Sequence, residues 1–345
     1  MTAIDGRDRD VPHPSRSRRG LAGAGTRVLR QPFLQAIVRR ALRSAVLLLV
    51  VSALTFVLTS LTPGNAAEEM LGSNATPSAL AHVRQELGLN LPLWTQYWHW
   101  LDKAVHGNLG QSLFIGGNVS SLVASRLPVT LSLMVGALIV STIVGVGLGV
   151  LSAVAGPVLG RTVGILSWLG YSVPAFWLAG ILIVIFAVNI RLFPVSGYES
   201  LANGAGPWAQ SLVLPVAALA IGGIAGIAKQ TREAMLDALS SEYIRMARAN
   251  GIGMRSIVLR HALKNAGSRV ATMVGLLAVS LLGGTVLVET VFSLPGLGSL
   301  LFTAVQEHDL PVVQGVVICF MIFIVIINFA VDIAYRWLNP KVGLR

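Results

Sequence analysis

The apolar residues of this chain are gathered into long uncharged runs that are separated by polar intervals. Seven stretches of at least 19 residues carry no charge, and they are 44–67, 104–125, 127–160, 162–190, 200–228, 270–288 and 310–331. A helix that crosses a bilayer needs about 20 mainly apolar residues, because its backbone polar groups must bond within the segment. The stretch 104–125 is rich in Gly, Asn and Ser, so it is rejected as a span.

Six membrane-spanning helices are therefore predicted. They lie near residues 42–61, 129–153, 163–188, 211–228, 270–288 and 312–334. The predicted fold class is an all-α polytopic membrane protein, with one transmembrane domain over 41–345. Two long polar intervals interrupt the spans, an outer loop at 62–128 and a basic loop at 229–269.

The outer loop contains two helix signals. The first helix begins at Pro77 after a Thr cap and is stopped by Gly88. The second, Leu93–Val105, is amphipathic and carries Trp94 and Trp98. An aromatic belt at the lipid interface explains this pattern. The alternative is a docking platform for an extracytoplasmic partner.

Composition agrees with a membrane protein, since 54% of the residues are hydrophobic, 12% are charged and the mean hydropathy is +0.72. The net charge of +11 is unevenly distributed between the two sides of the predicted membrane. Twenty-two Lys and Arg residues fall on the side of the termini and four on the other. Both termini are therefore predicted to be cytoplasmic, and nucleic-acid binding is not favoured.

Several segments outside the spans were considered for special roles. Residues 1–40 are basic and rich in Pro, Gly and Ser, so a disordered cytoplasmic leader is expected. Cys319 is the only cysteine, which excludes a disulfide framework and a thiolate metal cluster. Glu307, His308 and Asp309 are adjacent and cannot easily converge on one ion, so a solvated loop is expected there instead of a metal site.

The third span holds an aromatic segment with a proline in its middle. Pro174 removes a backbone donor and should kink the helix between Tyr171 and Trp177. A bent aromatic helix suits the wall of a translocation pathway, although packing and an interfacial Trp explain it as well. The candidate pathway residues are Tyr171, Pro174, Trp177, Gly283, Gly284 and Glu289.

The basic loop at 229–269 is predicted to contain two short helices. The fourth span continues in helical pattern to Leu239, and Ser240-Ser241 then breaks it and caps a new helix. That helix is stopped at Gly251, and one face is predicted to hold Tyr243, Met246, Ala247 and Asn250. A helix of about two turns is unstable alone in water, so it must be held by something. A second protein or the bilayer surface would serve.

The sequence of the basic loop resembles that of a known protein family. The segments Tyr243–Gly251 (YIRMARANG) and Arg260–Ala266 (RHALKNA) look like the cytoplasmic coupling loop of ABC-importer permeases of the dipeptide, oligopeptide and nickel group. Further matches occur in order, and they are LTPG (61–64), ELGL (86–89), GNLGQS (107–112), RLPVT (126–130), VPAFW (173–177), ETVFSLPGLG (289–298) and PVVQG (311–315). Three positions depart from the usual pattern: Asn65 stands where Asp is usual, and His261 and Lys264 stand where the broad importer pattern has Ile and Pro.

The resemblance implies a type I ABC-importer permease fold and a place in the bacterial inner membrane. It implies four kinds of partner: a second homologous permease, two ATP-binding subunits or one fused ATPase, an extracytoplasmic solute-binding protein, and the lipid bilayer. It also implies that ATP and Mg²⁺ bind the partner subunits and that this chain has no cofactor, metal or catalytic residue. The implied ATPase-coupling residues are Glu242, Tyr243, Arg245, Met246, Ala247, Arg248, Ala249, Gly251, His261 and Asn265.

The residues discriminate between this function and two others. No Gly-Lys dipeptide occurs, so a P-loop is absent and the motor must be a separate chain. An ion-coupled secondary transporter is the alternative, but the apolar interiors of the spans hold no ionisable residue of the kind that such proteins use. An intramembrane hydrolase is disfavoured because Ser172 lacks the nucleophile-elbow pattern and no His lies in a span. The expected cargo is a peptide or a related small solute.

Overall fold

The computed structural model describes residues 25–61, 71, 76–86 and 88–338. Helices make up nearly all of this part. They are α1 (Gly25–Leu61), α2 (Pro77–Glu86), α3 (Leu93–Val105), α4 (Val119–Val154), α5 (Pro157–Ser172), α6 (Ala175–Leu182, continued by a π-helical turn Ile183–Asn189), α7 (Ala205–Ser240), α8 (Glu242–Ala249), α9 (Met254–Val291), α10 (Leu297–Gln306) and α11 (Leu310–Leu338).

The all-α fold class is confirmed. The described residues contain no strand beyond one isolated bridge between Gln111 and Asn118. Within the described part of the chain, five helices are long and apolar enough to cross a membrane, and they contain Leu42–Leu61, Val119–Val154, Ala205–Ser240, Met254–Val291 and Leu310–Ala334. A sixth crossing requires α5 and α6 to act together, since neither is long enough alone.

The third span is broken instead of kinked. The axes of Pro157–Ser172 and Ala175–Asn189 differ by 98°, so the expected continuous helix over 163–188 is not present. Val173 adopts an extended conformation, as residues before proline prefer, and Pro174 stands at the N-cap of α6. The proline therefore ends one helix and begins another.

Helix α4 begins earlier than the expected start at residue 129. Asn118 caps it, and its side-chain oxygen accepts a hydrogen bond from Ser120 N at 2.8 Å. The helix then runs through Pro128, so residues 119–125, the last third of the stretch that was rejected as a span, are a helical extension of α4.

The N-terminal part differs from the expected disordered leader, because residues 25–40 belong to helix α1. Residues 1–24 and Asn65 lie outside the described part. The chain divides into two compact units, Met1–Leu49 and Val50–Arg345. All features below belong to the second unit.

A glycine seam joins α4 to α7 at the centre of this unit. A Cβ added at Gly145 would lie 2.8 Å from Ile227, and one added at Gly149 would lie 2.5 Å from Thr231. Ser141 Oγ donates a hydrogen bond to the Ala220 carbonyl at 3.1 Å on the same seam. Small residues of this kind let two helix backbones approach closely where lipid provides no hydrophobic drive.

The polar loop between α3 and α4 is fixed to α11 by a buried carboxylate. Asp309 accepts hydrogen bonds from Ser112 Oγ at 2.6 Å and from Leu113 N at 3.0 Å, and its other oxygen faces Val312 N in the first turn of α11. Asp309 is completely buried. The expected solvated loop at 307–309 is therefore wrong for Asp309, which is the N-cap of α11 and the anchor of the loop.

Candidate functional site

Helix α8 begins where the sequence pattern predicts, directly after α7. Ser241 is the shared residue and has an extended backbone. Its hydroxyl donates back to the Ala238 carbonyl and does not cap the new helix. Glu242 in the first turn is favourable at the positive end of the helix dipole. The chain thus turns a sharp corner at one residue.

Gly251 ends α8 in a Schellman motif. Its N–H donates to the Arg248 carbonyl at 3.0 Å, and Ile252 N donates to the Ala247 carbonyl at 3.1 Å. Gly251 has φ +77°, a backbone angle that residues other than Gly and Asn rarely adopt. No heavy atom lies within 4 Å of a Cβ built there, so the space above Gly251 is open.

Two small apolar side chains hold α8 against the rest of the chain. Ile244 and Ala247 are buried and pack with Ile257 of α9 and with Leu239 of α7. The predicted face is therefore corrected, since Ala247 points inward while Tyr243 and Met246 point outward. A helix of two turns is stable here because it packs against this apolar cluster instead of standing alone in water.

The outward face of α8 forms the surface that we call the coupling face. Its exposed residues are Glu242, Tyr243, Arg245, Met246, Arg248 and Ala249. Met246 is 71% exposed, although it is apolar. Arg245 and Arg248 form no ion pair within the described residues. An apolar centre with a basic rim has the chemistry of a protein docking surface.

The coupling face is connected directly to α9. Asn265 Nδ2 donates to the Tyr243 hydroxyl at 2.9 Å. His261 bonds within its own helix, with Nδ1 3.1 Å from the Ser256 carbonyl, and lies in a π-helical turn at 257–262. The bond between Asn265 and Tyr243 thus joins α8 directly to α9.

A connection between α7 and α9, in addition to the one between α8 and α9, was not predicted from the sequence. Asp237 and Arg269 form an exposed ion pair that joins the two helices beside α8. The residues are 32 positions apart, so helical spacing could not reveal the pair. An exposed pair contributes little to stability, about 0–1 kcal/mol.

The candidate pathway residues separate into two groups. Tyr171 and Trp177 are exposed on either side of the break at Pro174. Gly283 is exposed, and a Cβ there would meet nothing within 4 Å, whereas Gly284 faces Leu219 of α7 at 3.3 Å. The structure does not bring the aromatic pair together with Glu289.

Gly283 belongs to an exposed stripe along α9 that alternates polar and apolar residues. The stripe consists of Thr272, Leu276, Ser280, Gly283, Leu287 and Thr290. The residues recur at intervals of three and four, so they lie on one helix face. A helical wheel would have found this stripe in the sequence. The hydroxyls of Thr272 and Thr290 donate to carbonyls one turn earlier in α9, so these two polar groups are satisfied within the helix.

Glu289 lies one position before Thr290 but faces the interior. It is completely buried, accepts from Thr130 Oγ at 2.6 Å, and accepts from Ser299 N at 2.9 Å in the first turn of α10. A Cβ on Gly296 or Gly298 would overlap the carboxylate. Glu289 therefore caps α10 from a neighbouring helix, and its candidacy as a pathway residue is not supported by its position.

The described residues contain no group of three His, Cys, Asp or Glu side chains that could hold a metal ion.

Comparison with known protein families places these features in context. Residues 145–344 match the family of binding-protein-dependent transport system inner membrane components, and residues 33–134 match the N-terminal region of transport system membrane components of the same kind. Together the two matches cover most of the chain.

Individual relatives extend over nearly the same length. A probable peptide ABC transporter permease protein of Sinorhizobium fredii is 40% identical over 307 residues, which cover 89% of this chain and 98% of the relative. A probable D,D-dipeptide transport system permease protein of Escherichia coli is 36% identical over 85% of this chain and 93% of the relative. A glutathione transport system permease protein of Escherichia coli is 36% identical over 90% and 99%.

A solved structure gives a likeness in fold. The inward-facing MetNI methionine ABC transporter contains a chain that superposes with a TM-score of 0.53 at 21% identity, covering 63% of this chain and 96% of the other. The superposition supports the helix arrangement described above.

Proposed function

The chain belongs to the family of binding-protein-dependent transport system inner membrane components, and from that premise we propose that it imports peptides or closely related solutes. It is a permease of the ABC-importer type with a type I importer fold. The proposed cargo is supported by the relatives, which are named for peptide, D,D-dipeptide and glutathione transport. All three names describe small molecules with amide bonds.

The proposed coupling site is α8. The observation that carries this proposal is that Ile244 and Ala247 anchor the helix while Tyr243 and Met246 remain exposed. A partner ATPase would bury these two side chains in a groove. Because the described residues provide no P-loop, the energy must come from that partner.

The proposed motion begins at α8 and continues along α9. Tyr243 is bonded to Asn265, and α9 is one helix from Met254 to Val291. At its far end Glu289 holds α10 and, through Thr130, also α4. A tilt of α9 therefore moves both ends of the unit, as alternating access requires.

The proposed pathway wall consists of Gly283 with the exposed stripe of α9 and the aromatic pair Tyr171 and Trp177. Their exposure in this chain leaves them available to a cavity shared with a second, homologous permease. The extracytoplasmic loop, which Asp309 anchors, would receive a solute-binding protein. We place both termini in the cytoplasm of a bacterial inner membrane, as the distribution of Lys and Arg indicates.

The ion-coupled alternative has little support. Such a transporter needs an ionisable group that exchanges an ion with the pathway. Glu289 is the carboxylate nearest to the pathway stripe, and its oxygens are occupied by Thr130 and Ser299.

Reconstitution tests the proposal. The complete transporter is placed in proteoliposomes with its solute-binding protein, and uptake of a radiolabelled tripeptide is measured. We expect uptake that requires hydrolysable ATP and that persists when ionophores remove proton and sodium gradients. Uptake driven by either gradient without ATP would overturn the proposed function.

A matched pair of variants tests the coupling face. Burial of a Met side chain contributes about 1.5–3 kcal/mol, so Met246→Glu should weaken ATPase binding by roughly 10-fold or more. Met254→Glu introduces the same change on an exposed Met outside α8 and should bind normally. Equal binding by the two variants would exclude Met246 from the interface.

A further inference from the structure

We propose that the groove between α5 and α7 binds one anionic phospholipid, with an acyl chain in an apolar cavity and the phosphate at Arg232 and Lys229. The cavity has a volume of about 450 Å³, which lies within the range of small-molecule sites. It lies in the angle of the broken span and is distinct from the pathway stripe of α9.

The walls of the cavity are almost entirely apolar and come mainly from two facing helix surfaces. Helix α5 contributes Val163, Ser167 and Gly170, and α7 contributes Ile221, Ala225 and Ala228. On both helices these positions are three or four residues apart, so each set lies on one face. From Ile221 to Ala228 the helix rises about 10 Å, which gives the cavity an elongated shape along the membrane normal.

A cation lies at one end of the groove between these two faces. Arg232 is one turn beyond Ala228 on α7, and Gly160 is one turn before Val163 on α5. The Arg232 guanidinium lies directly over Gly160, where an added Cβ would be 2.7 Å from Nη2 and 3.1 Å from Nε. Arg232 Nε is buried and has no hydrogen-bond partner in the described part of the chain.

A second cation stands beside the first. Lys229 is three residues before Arg232, and its Nζ lies 4.5 Å from the centre of the Trp168 ring of α5. Neither Lys229 nor Arg232 forms an ion pair with a described carboxylate. Glu233 is adjacent but exposed, and it bonds neither of them. Lys229 and Arg232 are about one helical turn apart on α7 and leave two unneutralised cations at this end of the groove, where a charged headgroup can accept charge-assisted hydrogen bonds.

The place of the cations in the fold decides the occupant. They lie at the end of α7 that leads into α8, which is the side where most Lys and Arg residues lie. Anionic lipids are enriched in the cytoplasmic leaflet, and basic pockets between spans on that side recognise their headgroups. A cavity that is apolar above and cationic below has the polarity of a phospholipid in that leaflet.

Native mass spectrometry of the assembled, detergent-solubilised transporter tests this site. The protein is titrated with dioleoyl phosphatidylglycerol and, separately, with dioleoyl phosphatidylcholine. We expect one phosphatidylglycerol molecule to be retained in preference to phosphatidylcholine. Lys229→Gln with Arg232→Gln should weaken its binding by about fivefold for each cation removed. Arg255→Gln, which removes an exposed charge elsewhere in the basic loop, should bind as the unmodified protein does.

Two further measurements separate lipid from other occupants. Ile224→Trp fills the cavity while both cations remain, and it should also lose the retained lipid. A photo-crosslinking residue in place of Leu166 should label lipid. Equal retention of the two lipids by the unmodified protein would overturn the proposal, as would unchanged binding in the double variant or crosslinking to the second permease or to peptide substrate.

Discussion

Gly251 provides a sharp test of whether α8 meets a partner. The residue has φ +77°, so the backbone of any residue other than Gly or Asn is strained at this position. The left-handed conformation costs such a residue roughly 1–2 kcal/mol. No heavy atom of this chain lies within 4 Å of a Cβ at this position. In the isolated chain, therefore, Gly251→Ala and Gly251→Trp should differ little, because both carry the same backbone strain and neither meets an obstacle.

In the complete transporter the two variants should diverge. Gly251→Ala should lower peptide uptake modestly, in line with a strain of 1–2 kcal/mol that loosens the Schellman motif. Gly251→Trp adds a large side chain to the open space that we assign to the ATPase, and uptake should be abolished. Gly251→Asn should remain close to the unmodified protein, because Asn tolerates the left-handed conformation.

The assay compares the three variants in membrane vesicles. Peptide uptake is measured with ATP, and insertion is checked by the amount of permease in the membrane. Gly253→Trp is the matched control, since Gly253 also has open space but an ordinary φ of −62°. Equal uptake by Gly251→Ala and Gly251→Trp would refute a partner surface at this position, and loss of insertion in Gly251→Trp alone would refute the claim that the space is open.

Three other predictions concern the connections inside the unit. Glu289→Ala removes the acceptor of both the Thr130 O–H and the Ser299 N–H, so thermal melting in detergent should show a loss of about 2–6 kcal/mol. Gly149→Ala forces a methyl group into Thr231, and melting should show about 1–3 kcal/mol of destabilisation from overpacking. Tyr243→Phe removes the bond to Asn265, so uptake should fall while ATPase binding is retained.

Each of these predictions has a control. Glu289→Gln keeps one acceptor oxygen and should melt between the unmodified protein and Glu289→Ala. Gly147→Ala places the same methyl group in open space and should be neutral. For Tyr243, a double variant with Asn265→Ala should be no worse than either single variant. Additive losses in that cycle would mean that the two residues act separately.

The sequence was sufficient to predict a structural element where its local pattern is compatible with only one structure. Runs of about 20 uncharged residues have to be helical in a bilayer, so the all-α class and most spans could be predicted. The corner at Ser241 and the stop at Gly251 were also local, because the break after α7 and the left-handed conformation at a glycine depend on neighbouring residues, although the Ser241 hydroxyl does not cap α8 as predicted. The same locality explains why α8 was found with its correct start.

Errors arose where a local signal had more than one outcome. Pro174 indicates a disturbed helix, but a kink and a complete break differ only in what the flanking turns contact, and α5 turns to pack along α7. The sequence around Asp309 is also typical of a solvated acidic loop, so it does not by itself indicate burial. Its burial depends on Ser112, which lies 197 residues earlier in the chain.

The sequence alone thus determined most of the apolar helices that are long enough to cross a membrane, and where the polar helix α8 begins and ends. Tertiary structure decided which sides of those segments matter. Ala247 and Met246 are consecutive and could each face a partner, but only Ile257 in another helix makes Ala247 the buried one. Glu289 likewise could have lined a pathway until Thr130 and α10 enclosed it, since burial is a property of contacts between distant residues and not of the residue itself.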